Sequence, residues 1–412
     1  MINRLDEIKM KLVGLGQEHV LNFLDALQEA EKQELLNQIE NIDFELVAKI
    51  YNERNNVSNT QDEIEPLGYV DKLKLSNKEV ERYTALGEQA IEKGELAFAT
   101  LAGGQGTRLG HNGPKGTFML GINPDKSLFE IMCDSLKRAK QKYNGYIPWY
   151  IMTSRENNDD TIKFFETHNY FGYPQHMVRF FKQEELPMLH VDGKILLESK
   201  AKIKEAADGH GGIFEAMYKN NIVEDMEAKG IKWVFIGGID NVLLNMVDPL
   251  FMGLAIDRNV NVASKSIVKA NPTEKVGVFC KRNGRPSVIE YTEITDDMAH
   301  ETDSQGELLY GESHILCNLF SITAIKQIGN EKLPYHAAFK KSDYVDGDGR
   351  KVVPDVPNAY KFETFIFDAF NKFEDMLIFR AVREEEFAPI KNKEGVDSPE
   401  TARKLYREYW KI

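Results

Sequence analysis

Leu96-Ala97-Phe98-Ala99-Thr100-Leu101-Ala102-Gly103-Gly104-Gln105-Gly106-Thr107-Arg108-Leu109-Gly110 runs from an apolar stretch into a glycine-rich turn, and Pro114-Lys115-Gly116 follows closely. A short apolar run bounded by glycines reads as a strand buried on both faces. Glycines after such a strand let the backbone approach a phosphate and aim N–H groups at it, while Arg108 and Lys115 supply positive charge. Two better-known glycine motifs do not fit. Gly104-Gln105-Gly106 is followed by a glycine four places on rather than three, and no glycine directly precedes a Lys-Ser or Lys-Thr pair. A ligand-free strand-to-helix turn would explain the glycines alone, but not two cations placed so near them.

Working outward, Tyr146–Thr153 and Lys232–Ile236 are further short runs rich in β-branched and aromatic residues. Helix-length stretches separate them: Ser127–Lys142 with Ser127 as cap, Asp160–His168, and Gly212–Lys229. Strands alternating with helices predict parallel pairing and a doubly wound α/β sheet. Val276–Lys281 and Ser287–Tyr291 read as strands, with turns at Asn283-Gly284 and Gly347-Asp348-Gly349, and a closing helix starts at Ser398. Upstream, apolar residues recur at helical spacing from about residue 3 to 54, as at Leu5, Ile8, Leu12 and Leu15. The polar stretch Asn52–Gln61 reads as a linker, and a helix over Lys78–Lys93 stops at Gly94. Three parts are therefore expected: a mostly helical region over 1–94 serving packing or oligomerisation, a catalytic domain over 95–345, and an α+β region over 346–412 that completes the site.

The 412 residues are 42% hydrophobic, enough for a large core in more than one domain. Net charge is −13 with no basic run, which argues against a nucleic-acid footprint but leaves room for one small anion. Cys133, Cys280 and Cys317 are odd in number and widely spaced, which argues against a disulfide framework. Met1-Ile2-Asn3-Arg4-Leu5-Asp6-Glu7 lacks a signal-peptide apolar core, and no later run is long enough to span a bilayer. The expectation is a cytoplasmic protein with no membrane partner.

The glycine-rich segment resembles the signature of the UDP-sugar pyrophosphorylases, and most closely their UDP-N-acetylglucosamine pyrophosphorylase branch. The resemblance runs from Leu101 to about Arg403 through Trp149–Ser154, Asp208-Gly209-His210-Gly211-Gly212, Ile239-Asp240-Asn241, Val276-Gly277-Val278, Val288-Ile289-Glu290-Tyr291, Lys361-Phe362-Glu363 and Val382–Phe387. It implies a Rossmann-like mixed sheet of nucleotidyltransferase type. It also implies a reaction in which UTP and a sugar 1-phosphate give a UDP-sugar and pyrophosphate; a catalytically silent nucleotide sensor on the same fold is the alternative.

By this resemblance, Leu101, Ala102, Gly103 and Gly104 hold uracil and ribose, with Gln183 and Gly209 as further uridine contacts. Arg108, Lys115 and Lys391 carry the catalytic charge, and Lys361 also neutralises phosphate. Asp240 binds Mg²⁺, which needs only one or two carboxylates beside phosphate oxygens; a turn or cap role is its structural alternative. Gly277, Glu290 and Tyr291 fall in the sugar pocket. Phe365 and Phe367 lie near it, although aromatics at this spacing are more often core. His210 and His314 stand where the amino-sugar branch has asparagines, which points towards glucose 1-phosphate as well as N-acetylglucosamine 1-phosphate. Arg383-Glu384-Glu385-Glu386 reads as a solvated or structural face.

Overall fold

In the computed structural model, which describes residues 4–54 and 62–412, the chain forms two compact units. The larger contains Asp62–Gln183, Ile213–Lys332 and Ile366–Ile412. Its main sheet has eight strands on one path: β1 (Val70–Asp71), β2 (Leu96–Leu101), β3 (Trp149–Thr153), β4 (Val178–Lys182), β5 (Trp233–Gly238), β6 (Val262–Val268), β7 (Glu312–Ser321) and β8 (Leu377–Arg380). Their spatial order is β1-β8-β6-β7-β5-β2-β3-β4. β5, β2, β3 and β4 are parallel, whereas β7 runs antiparallel to both β5 and β6. The sheet is therefore mixed, as expected. β2 is buried along its whole length, which is why it reads as an unbroken apolar run rather than an alternating one.

Several local expectations reappear. The helix Asn77–Glu92 is opened by a capping box on Ser76, and Gly94 just beyond its end has φ +74°. Ser127 caps Leu128–Tyr143, its Oγ accepting from the Glu130 N–H at 3.1 Å. Asn283 and Gly284, both at positive φ, turn Val278–Arg282 into Arg285–Ile289. The single helix expected over Gly212–Lys229 is instead two, Ile213–Lys219 and Ile222–Ala228. Asn221 takes a left-handed φ of +52°, which an Asn tolerates and which ends the first helix.

The smaller unit gathers 4–54, Glu184–Gly212 and Leu333–Phe365. Helices Arg4–Gly14, Glu29–Asn41 and Phe44–Glu53 share a core with short strands, through Leu12, Leu35, Ile39, Leu189, Ile203 and Phe362. The three consecutive parts expected from the sequence do not coincide with this grouping. Leu189–His190 pairs with Ala359–Glu363, so segments far apart in the chain build one unit, while β8 carries the C-terminal region into the main sheet. Most of the expected linker, 55–61, lies outside the described residues.

Candidate active site

The sheet order reverses at β2: the chain runs outward from it to β3 and β4, while β5 lies on its other side. Open α/β sheets bind ligands at such a switch point, beyond the carboxyl ends of the strands. Leu101 and Gly238 are register partners at the ends of β2 and β5. Consequently the glycine loop and Asp240, two residues past β5, leave the sheet by the same edge.

Hydrogen bonds shape the loop. Ala102 N–H donates to Met152 O at 2.9 Å, Gly106 N–H to Gly113 O at 2.9 Å and Lys115 N–H to Gly104 O at 3.0 Å, folding Lys115 back beside the glycines. Asn157, fully buried, donates from Nδ2 to Ala102 O at 2.9 Å and to Gly104 O at 3.3 Å, and its Oδ1 accepts from Ser154 N–H at 2.9 Å. One amide thus fixes both carbonyls that flank Gly103. Nothing in the sequence singles out Asn157, which looks like an ordinary cap before a helix.

Gln183 directly follows β4, and its N–H donates to Thr153 O at 2.8 Å. It is buried rather than solvated, and a Cβ at Gly103 would stand 2.2 Å from its Oε1. Gly103 is therefore a glycine because the Gln183 amide occupies the space a side chain would need. Lys115 Nζ lies 3.6 Å from Asp240 Oδ2, both partly buried. Arg108 is exposed in the turn Thr107–Leu109.

The segment that carries Lys391 is laced to the one that carries Asp240. Ile390 N–H donates to Asp240 O at 2.8 Å, and Asn241 Oδ1 accepts from Ala388 N–H at 2.9 Å. Asn241 Nδ2 in turn donates to Glu386 O at 2.6 Å. The Lys391 side chain is 42% exposed, with Nζ 3.5 Å from Asp397 Oδ2. Glu386, in the acidic run, is buried rather than solvated: its Oε1 receives Lys265 Nζ at 2.7 Å.

A second group in this unit surrounds Gly277. His314 N–H donates to Gly277 O at 2.9 Å, and a Cβ at Gly277 would fall 3.2 Å from Glu290 Oε1. The His314 ring meets Phe279, Phe367 and Phe370 nearly edge-on, centroids 5.3 to 5.9 Å away, and its Nε2 lies 3.2 Å from Asn318 Oδ1. Phe367 is buried in this aromatic cage. Tyr291 is exposed.

Gly209, His210 and Lys361 belong to the smaller unit. Gly209 has φ +88°, and a Cβ there would lie 2.3 Å from Thr364 O, so only glycine fits. The ring of His210 packs against Phe365 at 5.4 Å. Lys361 Nζ donates to Glu363 Oε1 at 2.7 Å. Burial disfavours the Glu363 carboxylate, but Lys361 and Lys340 outweigh it and hold its pKa below the ordinary value.

A glycine loop at the switch point of a mixed α/β sheet, with a lysine and an aspartate facing each other beyond the strand ends, is the arrangement of a nucleotidyltransferase. Residues 43–396 match the family described as UTP–glucose-1-phosphate uridylyltransferase, and the chain belongs to it. Among its relatives, a probable UDP-N-acetylglucosamine pyrophosphorylase of Dictyostelium discoideum is 37% identical over 96% of this chain and 86% of its own. The UDP-N-acetylglucosamine pyrophosphorylase of Saccharomyces cerevisiae is 35% identical over 98% and 89%. The solved structure of the Trypanosoma brucei UDP-N-acetylglucosamine pyrophosphorylase, in complex with an inhibitor, superposes with a TM-score of 0.85 at 32% identity, covering 98% of this chain and 84% of that one. The protein is a uridylyltransferase, an enzyme that makes a UDP-sugar.

Proposed function

We propose that UTP binds at the edge formed by Leu101–Gly104, Gln183 and Asp240, and that the acceptor is a hexose 1-phosphate, with glucose 1-phosphate used at least as well as N-acetylglucosamine 1-phosphate. Uridylyl transfer develops charge on phosphate oxygens and needs no nucleophilic side chain, so positioning and charge neutralisation carry the catalysis. In this reading the Gln183 amide pairs with uracil, which its donor and acceptor suit. Arg108, Lys115 and Lys391 meet phosphate, while Gly277, Glu290 and Tyr291 meet the sugar.

Asp240 suits Mg²⁺ of the kind that enters with a nucleotide. It is one carboxylate beside a phosphate-binding loop, and among the described residues no three His, Cys, Asp or Glu side chains form a resident metal cage. Mg²⁺ would supply neutralisation of phosphate charge, and Asp240 would hold it. A cytoplasmic setting accords with three buried, unpaired cysteines; no described helix is long and apolar enough to cross a membrane.

The observation that carries the sugar reading is the seating of His314. Its ring is held by three phenylalanines and its Nε2 is directed at Asn318, so this position offers no amide to an acetamido group. Selectivity for N-acetylglucosamine 1-phosphate is the second reading, favoured by the names of the relatives. Incubation with UTP, Mg²⁺ and each sugar 1-phosphate, followed by pyrophosphate release, tests both. Comparable kcat/KM for the two sugars is expected, with His210→Asn plus His314→Asn shifting preference to the acetamido sugar. Strong wild-type selectivity for N-acetylglucosamine 1-phosphate would leave the second reading standing.

A further inference from the structure

Lys265 is the most deeply buried lysine of the sheet, with no exposed side-chain surface, and it sits where the β6–β7 ladder shifts register between Ser264 and Ser266. Its Nζ lies 2.8 Å from Asp248 Oδ2, 2.7 Å from Glu386 Oε1 and 3.3 Å from Asn245 O. Burying three charges is a poor route to stability, because desolvation offsets most of the attraction. What such a cluster does supply is a fixed geometry, and its members are placed where one is useful. Asp248 caps the helix Pro249–Asp257 by accepting from Phe251 N–H. Glu386 lies five residues before Lys391. The main chain of the same Glu386 accepts the Asn241 amide, and Asn241 adjoins Asp240.

We propose that Lys265 and Glu386 form a buried ionic anchor that sets the position of Lys391 relative to Asp240, acting on catalysis by placement and not by contact with substrate. The proposal rests on the catalytic reading of Lys391 given above. Lys391 itself is long and half-exposed, its Nζ 3.5 Å from Asp397 Oδ2 and 5.5 Å from the centre of the Phe387 ring, so its reach depends on the backbone that presents it. That backbone is tied to Asp240 by the Ile390 N–H and to Asn241 through main-chain groups, and Lys265 adds a side-chain hold through the Glu386 carboxylate. Asn241 alone leaves the Glu386 side chain free to swing. Lys265 closes that freedom, tying the Lys391 segment to β6 and to the cap of the helix Pro249–Asp257.

Lys265, Asp248, Glu386 and Lys391 are thus assigned an order: three hold, one acts. Removing Lys265 would strand two carboxylates in the core, so Glu386 is the better target. Glu386→Ala leaves Lys265 paired with Asp248, a neutral couple. The test is a double-mutant cycle between Glu386→Ala and Lys391→Ala in the full chain, read in kcat and in KM for both substrates. Expected is a kcat lowered roughly ten- to a hundredfold by Glu386→Ala, on the order of a 1 Å misplacement, with KM little changed. In the Lys391→Ala background the same substitution should lower kcat no further. A merely structural role would reduce activity by the same factor in both backgrounds, and that result overturns the anchor while leaving Lys391 catalytic. Wild-type kcat in Lys391→Ala overturns the reading of Lys391 and the proposal with it. Should Glu386→Ala fail to fold, Glu386→Gln carries the same cycle. Its amide oxygen keeps a weaker bond to Lys265, so a smaller kcat loss is expected, again absent in the Lys391→Ala background; an equal loss there overturns the anchor.

Discussion

Gly103→Ala adds one methyl group where the structure has no room for it. The new Cβ would stand 2.2 Å from Gln183 Oε1, 3.1 Å from its Cδ and 3.4 Å from Ser154 N, whereas ordinary contact begins at 3.4 Å. The Gln183 oxygen must therefore retreat by more than 1 Å, beyond what a hydrogen bond tolerates. Asn157 clamps Ala102 O and Gly104 O, so the loop cannot yield instead. If Gln183 reads uracil, the substitution removes a paired amide contact worth roughly 1–3 kcal/mol. UTP affinity should fall about 5- to 150-fold, with kcat at saturating UTP largely retained. Calorimetric titration with UTP, KM for UTP and a thermal melt separate weaker binding from misfolding. Gln183→Ala is the companion: adding Gly103→Ala to it should cost little more, because the clash has gone. A folded Gly103→Ala protein that binds UTP within twofold of wild type would refute the role given to Gln183.

Lys115→Ala should leave the melting temperature close to wild type and lower kcat on the order of a hundredfold, the size of a lost charge-stabilising donor; steady-state turnover near wild type would return Lys115 to a structural role. Asp240→Asn should raise the Mg²⁺ concentration needed for half-maximal rate and reduce the rate itself, and a metal titration identical to wild type would count against Asp240 as a ligand. Burial pushes the Cys133 thiol up to about 12 and the Cys280 thiol up to about 11, and raises that of Cys317 as well. Because the thiolate is the reactive form and a raised pKa keeps the thiol protonated, the native protein at pH 8 should resist a thiol-specific reagent until denaturant exposes three groups. Rapid labelling of any one of them in the folded protein would show that its site opens.

The glycine loop and β2 were legible because one feature dominates each: an unbroken apolar run, and glycines next to cations. Caps at Ser127 and Ser398 and the Asn283-Gly284 turn were legible for the same reason, since their chemistry is local. β6 was hidden, because Ser264, Lys265 and Ser266 interrupt its apolar pattern while remaining buried through polar partners. β8 is only four residues long. The antiparallel course of β7 depends on neighbours distant in sequence, as does the smaller unit, assembled from three separate segments. Asn157 escaped notice, and Glu386 was read only as part of a solvated or structural face, because their partners are backbone carbonyls and a buried lysine, neither of which leaves a periodic trace.

The approach of Lys115 Nζ to Asp240 Oδ2 at 3.6 Å bears on the sequence in which ligands load. With nothing bound, each charge is the other's counterion, so neither a lone divalent cation nor a lone nucleotide meets an unopposed partner. A phosphate that draws Lys115 away leaves Asp240 bare and more attractive to a cation. A cation that engages Asp240 likewise frees Lys115 for phosphate. In the proposed reading each ligand strengthens the other through the charge it uncovers, and by linkage the coupling is equal in both directions. A calorimetric titration with the two ligands separately and together would measure that coupling as a single number, and Lys115→Met should erase most of it.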